Sequence, residues 1–225
     1  MVSAHPMYVN VSLAVVYESV LFPFELLPFF RSLSKQGYLV PEPLAAEILA
    51  PPRSGRLEGA ALVARKGDTL LAVNTERKTM AVHAALPDTA ADEMESLEEL
   101  VKKDMGIDAT ESARFYEFNS SFALEATTDP LQRWALSLEQ IPIVQRIPAI
   151  LGMEIAPFGL RCVGKGQVPN QSEWFDIRIE PRVLTPTTHH FVDVLFRHPD
   201  RTRVIEFARN LEPTMRKLVD LLEEE

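Results

Sequence analysis

The 225-residue chain carries 46% hydrophobic and 24% charged residues, a balance that suits a folded globular protein and excludes disorder on the scale of a domain. Its formal charge of −9 and pI near 5.2 argue against a phosphate-backbone binder, whose signature is a basic face or stripe. A single cysteine, Cys162, leaves no disulfide within the chain and no cysteine-built zinc site, and its neighbours Leu160 and Val163 predict a small core residue on a strand rather than a nucleophile.

The length suits one large or two small domains. The opening residues show no basic segment followed by a clean apolar run, which predicts a cytoplasmic protein. Five Asn and six Gln against 17 Pro lean toward a thermophile.

Val11 to Phe30 holds only two charges, Glu18 and Glu25, and is long enough to span a bilayer. Each acid near a membrane centre costs roughly 2.5–3.5 kcal/mol, and Pro23 and Pro28 add to the conflict. The pattern predicts a strand and a helix instead. Val9, Val11, Leu13, Val15 and Tyr17 alternate with Asn10, Ser12, Ala14 and Glu18 as in a half-buried strand. Leu26, Phe29, Phe30 and Leu33 then recur at helical spacing, with Gly37 as the C′ residue. Pro28 predicts a late start or a kink. Phe24 falls off the apolar stripe and is expected to be exposed.

Strands are predicted over Leu39 to Leu49, Leu57 to Arg65, Thr69 to Asn74 and Lys78 to Leu86. Pro51 to Gly55 reads as a loop, and Lys66-Gly67-Asp68 as a three-residue hairpin connection. A helix follows, with Thr89 and Asp92 as a capping pair. Acids at its start and Lys102 and Lys103 at its end complement the helix dipole, and Gly106 closes it.

The plan then repeats. Tyr116, Phe118, Phe122 and Leu124 form an alternating apolar face. Thr128-Asp129-Pro130 opens a helix carrying Leu131, Trp134 and Leu138. Ile141 to Gly152 reads as a proline-marked connection. Strands follow near Glu154 to Val163, Glu173 to Val183 and His189 to Arg197. The last helix starts near Pro199-Asp200. Its Val204, Ala208, Leu211, Met215, Leu218 and Leu222 form a heptad-like seam, which predicts one helix, bent at Pro213, that grips the sheet or joins a homodimer.

A shift of 107 sets Val15 on Phe122 and Pro23 on Pro130, and a shift of 99 sets Lys66-Gly67 on Lys165-Gly166. These matches and the repeated element order predict a duplication. The halves are 1–108 and 109–225, with the boundary near Gly106 to Glu111. The fold class is α+β: two tandem βαββββα-type halves that form a curved antiparallel sheet with helices on one face. In element order this resembles the fold of the TATA-binding protein, which implies a sheet with an open face. The resemblance covers no residue motif and implies no DNA binding.

Familiar motifs fail on chemistry. "GLRCVGKG", Gly159 to Gly166, has glycine where a phosphate loop needs Ser or Thr. "SLSK", Ser32 to Lys35, lacks the partners of a serine acyl-enzyme. His189 and His190 point to opposite faces of a strand, and His190 and His198 stand about 26 Å apart, so no metal or other cofactor is expected.

The last two strands carry the candidate site. Phe175, Ile177 and Ile179 match Val192, Val194 and Phe196 on one face. The other face then sets Arg178 opposite Asp193 and Arg182 beside His189. Arg178, Arg182 and His189 are candidate anion contacts, with Asp193 and Trp174 beside them. Asn10, Ser12, Asn119 and Ser121 extend the same polar face. The favoured function is non-catalytic binding of a small ligand or a protein partner. The alternatives are a hydrolase or transferase built on Asp176, Glu180, Arg182 and His189, and local nucleic-acid binding. No catalytic residue stands out, and no membrane role is expected.

Overall fold

A computed structural model describes residues 6–18, 23–40, 61–74 and 77–224. The chain begins with β1 (Met7–Tyr17), α1 (Leu26–Lys35), β2 (Ala61–Lys66), β3 (Thr69–Asn74), β4 (Thr79–His83) and α2 (Pro87–Met105). A short 3-10 turn (Ala109–Ser112) leads to β5 (Ala113–Glu125), α3 (Pro130–Glu139), α4 (Pro142–Leu151), β6 (Leu160–Val163), β7 (Trp174–Pro181), β8 (His189–His198), α5 (Arg201–Arg209) and α6 (Leu211–Glu224).

The class is α+β, with one open, curved, antiparallel sheet in the order β2-β3-β4-β1-β5-β8-β7-β6. β1 and β5 pair at its centre, from Met7 opposite Ala123 to Tyr17 opposite Ala113. Three strands then step outward on each side in matching order. Among the described residues each side contributes four strands where five are expected. The strand predicted from Leu39 lies beyond Val40 outside the described residues, as does the loop at Pro51 to Gly55. Leu39 itself bridges Arg65.

Alternation built this sheet. Val11, Leu13, Val15 and Tyr17 point inward from β1, and Tyr116, Phe118, Phe122 and Leu124 from β5. They join the apolar stripes of α1, α2, α5 and α6 in one core that runs through both sides. Burying such side chains is worth roughly 1.5–3 kcal/mol each.

Local differences from expectation have local causes. α1 starts at Leu26, so Pro28 sits in the first turn, where no N–H is missed. Phe24 is buried, 4.9 Å from the Phe29 ring and edge-on to Tyr17. It precedes the helix, so helical periodicity does not govern it. Lys66 pairs with Thr69, which leaves a two-residue turn at Gly67-Asp68, with Gly67 at φ +59. α2 begins at Pro87 without a side-chain cap, so Thr89 lies inside the helix. Gly106 ends it at φ +66, as expected.

Two corrections are larger. Ile141 to Gly152 is not a bare connection but contains α4, with Pro142 in its first turn, Pro148 inside it and Gly152 closing it at φ +68. The C-terminal segment is two helices, not one bent helix, with the break at Asn210. Pro213 has no N–H to return to the Arg209 carbonyl, and it fits only the first turn of a new helix. The seam survives the break. Val204, Ala208, Leu211 and Met215 are buried, and Leu218 and Leu222 pack against the core. The seam therefore grips the chain's own sheet. Among the described residues, no helix is long and apolar enough to cross a membrane.

Candidate functional site

The hairpin of β7 and β8 has the expected register: Ile177 faces Val194, Ile179 faces Val192, and Arg178 faces Asp193. The Arg182 N–H donates to the His189 carbonyl at 2.8 Å. The polar face of this hairpin is largely self-neutralised. Arg178 lies 3.5 Å from Asp193 and 3.8 Å from Glu180, above the Phe191 ring. Asp193 also accepts from the Ser121 hydroxyl at 2.6 Å. Arg161 forks onto Asp176 at 2.9 and 2.6 Å. That hydrogen bond leads in holding the Asp176 carboxyl below its ordinary range.

At the far end, Trp174 faces Arg197 across the ladder and is buried. Arg197 donates to Glu117 and to the carbonyls of Pro169 and Gln171, and sits 4.7 Å above Phe115. Trp174 and Arg182 are eight residues apart along an extended chain, about 26 Å. The five nominated residues are thus not one site. Arg178 and Asp193 meet, Arg182 and His189 flank the hairpin end, and Trp174 lies beneath a separate cluster. The Arg182 guanidinium has no partner among the described residues, and His189 shares a 2.8 Å contact with the Thr188 hydroxyl. Among the described residues, no group of three His, Cys, Asp or Glu side chains could hold a metal.

The opposite face of the same strands opens into a groove of about 680 Å³, within the roughly 300–1,000 Å³ range of ligand pockets. Its floor is Leu160, Cys162, Phe175, Ile177 and Ile179. Phe207 on α5 and Met215, Leu218 and Leu221 on α6 form the wall, with Thr214 and Lys217 beside them. Positions 214, 217, 218 and 221 make one stripe of a helix. This stripe adjoins the seam that grips the core. Cys162 is exposed on the edge strand, and Leu221 is 56% exposed. Nearby in sequence, α4 buries none of its residues, and its Ile143, Ile150 and Leu151 are exposed.

A smaller hollow of about 360 Å³ lies between Tyr8, Pro87, Arg209 and Glu212. Burial, then Glu212 and Asp88, push the Tyr8 phenol up to about 12. Arg209 is already engaged there by Asp92 and Glu95 at 2.6 and 3.0 Å.

Two buried polar groups tie the helices to the sheet. Glu98 on α2 accepts from Tyr116 at 2.7 Å and from Arg201 on α5 at 2.6 Å. Burial raises the Glu98 carboxyl above its ordinary range against the pull of both partners. His190 is buried beside Trp134, with Nε2 3.1 Å from Glu223 on α6. Its Nδ1 is buried without a hydrogen-bond partner. Burial lowers the His190 imidazole below its ordinary value, outweighing Glu223.

Sequence reasoning found the polar face and missed the groove. Phe175, Ile177 and Ile179 were visible as inward-pointing, but Cys162, expected in the core, is exposed, because nothing in alternation says how far a helix covers an inward face. No protein-family model matches the chain, and a search of curated proteins finds no match to it.

Proposed function

We propose that the chain is a non-catalytic binding protein that takes its ligand in the apolar groove between the β6 edge and α6. One observation carries this reading. Counted ladder by ladder from Val15 and Phe122, Ala64 corresponds to Cys162 and Leu71 to Ile177. Ala64 is fully buried, whereas Cys162 is exposed. The same sheet position is sealed on one side and left open, in apolar surroundings, on the other. An apolar concavity of this volume is the ordinary form of a small-ligand site.

The polar face supports binding less well, because Arg178 and Asp193 neutralise each other. A hydrolase or transferase there would also need Asp176 and Glu180, which Arg161 and Arg178 already engage. A homodimer is the second reading, favoured by the exposed Leu221 on α6 and Ile143 and Ile150 on α4. The matching strand order also supports a duplication with its boundary near Gly106 to Glu111. A cytoplasmic location fits the exposed thiol of Cys162, which a reducing compartment keeps unpaired.

Native mass spectrometry on gently purified protein tests the reading. A monomer with a small retained mass supports the ligand groove. A dimer without added mass favours the second reading. A bare monomer that also fails to take up an apolar dye removes the groove as a binding site.

A further inference from the structure

The groove has a chemical polarity that its apolar lining alone does not convey. We propose that its ligand is a long-chain fatty carboxylate, with the acyl chain along the floor and the carboxylate at Lys217. This rests on the groove being the binding site.

Charge carries the argument. The protein has nine more formal negative than positive charges, yet no carboxylate among the described residues lines the groove. Among the described residues its one ionic lining group is the Lys217 ammonium, which has no ion-pair partner among them. Thr214 lies three residues before it on the same helical stripe and offers a hydroxyl donor. A cationic head would be repelled by the ammonium, and a neutral head would leave it to water. A carboxylate forms a charge-assisted hydrogen bond with it, roughly twice as strong as a neutral one.

Shape points the same way. The floor runs along β6 and β7, two extended strands, beneath the Leu218 and Leu221 side of α6. That is a trough for a linear chain, open at the sheet edge. Cys162 lies in the floor and is the only thiol in the chain. An acyl chain in the trough covers it, so the chain carries its own reporter.

The experiment follows thiol labelling of Cys162 in delipidated full-length protein, using Ellman's reagent. Palmitate, hexadecanol and hexadecyltrimethylammonium are each added below their micelle concentrations. The expected result is that saturating palmitate slows labelling at least about tenfold and that hexadecyltrimethylammonium does not. Lys217→Glu is expected to raise the half-saturating palmitate concentration by about tenfold, equivalent to about 1.4 kcal/mol, and to leave hexadecanol unchanged. Leu221→Asp is expected to weaken both. Lys217 and Leu221 are exposed, so both variants should keep the parent melting temperature, which is checked first.

If hexadecanol protects as well as palmitate and Lys217→Glu changes nothing, the carboxylate inference is overturned while the groove still stands as a binding site. If no amphiphile protects Cys162 and an apolar dye also fails to bind, both fall. If Cys162 resists labelling without any amphiphile, and Leu221→Asp releases it while converting a dimer to a monomer, a second copy fills the groove and the lipid inference is overturned.

Discussion

β2 and β6 close the same sheet at opposite edges, yet Ala64 on β2 is fully buried and Cys162 on β6 lies open. The strands do not cause the difference. Both edge strands join hairpins of matching order. The connections leading to them differ. After α1 the chain lays Tyr38 into the core and pairs Leu39 with Arg65. After α3 it forms α4, which buries nothing. Alternation decides which side chains face inward, and where α5 and α6 stop decides which of those on β6 and β7 stay open.

Paired substitutions test this contrast. Ala64→Asp is expected to cost about 3–5 kcal/mol, because it sets an uncompensated charge in a fully buried position. Cys162→Asp, at the corresponding exposed position, is expected to stay within about 0.5 kcal/mol, as surface changes do. Urea denaturation reads both, and equal costs would break the comparison.

Arg201→Ala comes next. It leaves the buried Glu98 carboxylate with one fewer partner across the join between α2 and α5. Removing one member of a buried pair costs about 3–5 kcal/mol. The Arg201 side chain is 30% exposed, so about 2–3 kcal/mol is expected here. A loss below about 0.5 kcal/mol would show that the two sides are held by apolar packing alone.

The third test is pH. His190 has a lowered folded-state pKa, so the unfolded chain takes up its proton first. Its stabilising contribution is present above the ordinary histidine value of about 6.5. It is lost as pH falls from there through the lowered value. Glu223, Arg216 and Trp134 surround this imidazole. Melting temperatures should therefore drop on acidification below about pH 6.5, and His190→Phe should flatten that drop. An unchanged slope in the variant would assign the acid sensitivity to other groups.

The smallest effect is expected in α4. Ile150, 81% exposed, should tolerate replacement by Lys within about 0.5 kcal/mol. A larger loss would mean that α4 packs in solution and that the two connections are alike.

Much of the sheet was legible because a two-residue period is hard to imitate. The register of Arg178 with Asp193 and of Arg182 with His189 followed from setting two alternating apolar runs on one face. Helix ends at Gly37 and Gly106 followed from glycine's tolerance of positive φ. The misses share a cause: they depend on context beyond the local period. Pro142 and Pro148 hid α4, although Pro142 needs no N–H at a helix start and Gly152 is an ordinary terminator. Pro213 was read as a bend, although a proline suits the first turn of a second helix equally well. Arg178 and Asp193 were correctly paired, and for that reason they have little charge left for a ligand. The groove was invisible because it depends on where α5 and α6 stop covering β6 and β7.

The central seam has a consequence for how the chain is made. β1 is bonded to β4 on one edge and to β5 on the other. The Ser120 hydroxyl donates to the Asn10 carbonyl across a separation of 110 residues. A ribosome that has released β1 must therefore add the whole of α1 through α2 before that strand gains its second neighbour. Throughout that interval an unpaired strand edge is available to other nascent chains. Damage to Ala113–Glu125 would accordingly appear first as lost yield during synthesis, ahead of any change in the melting behaviour of the molecules that mature.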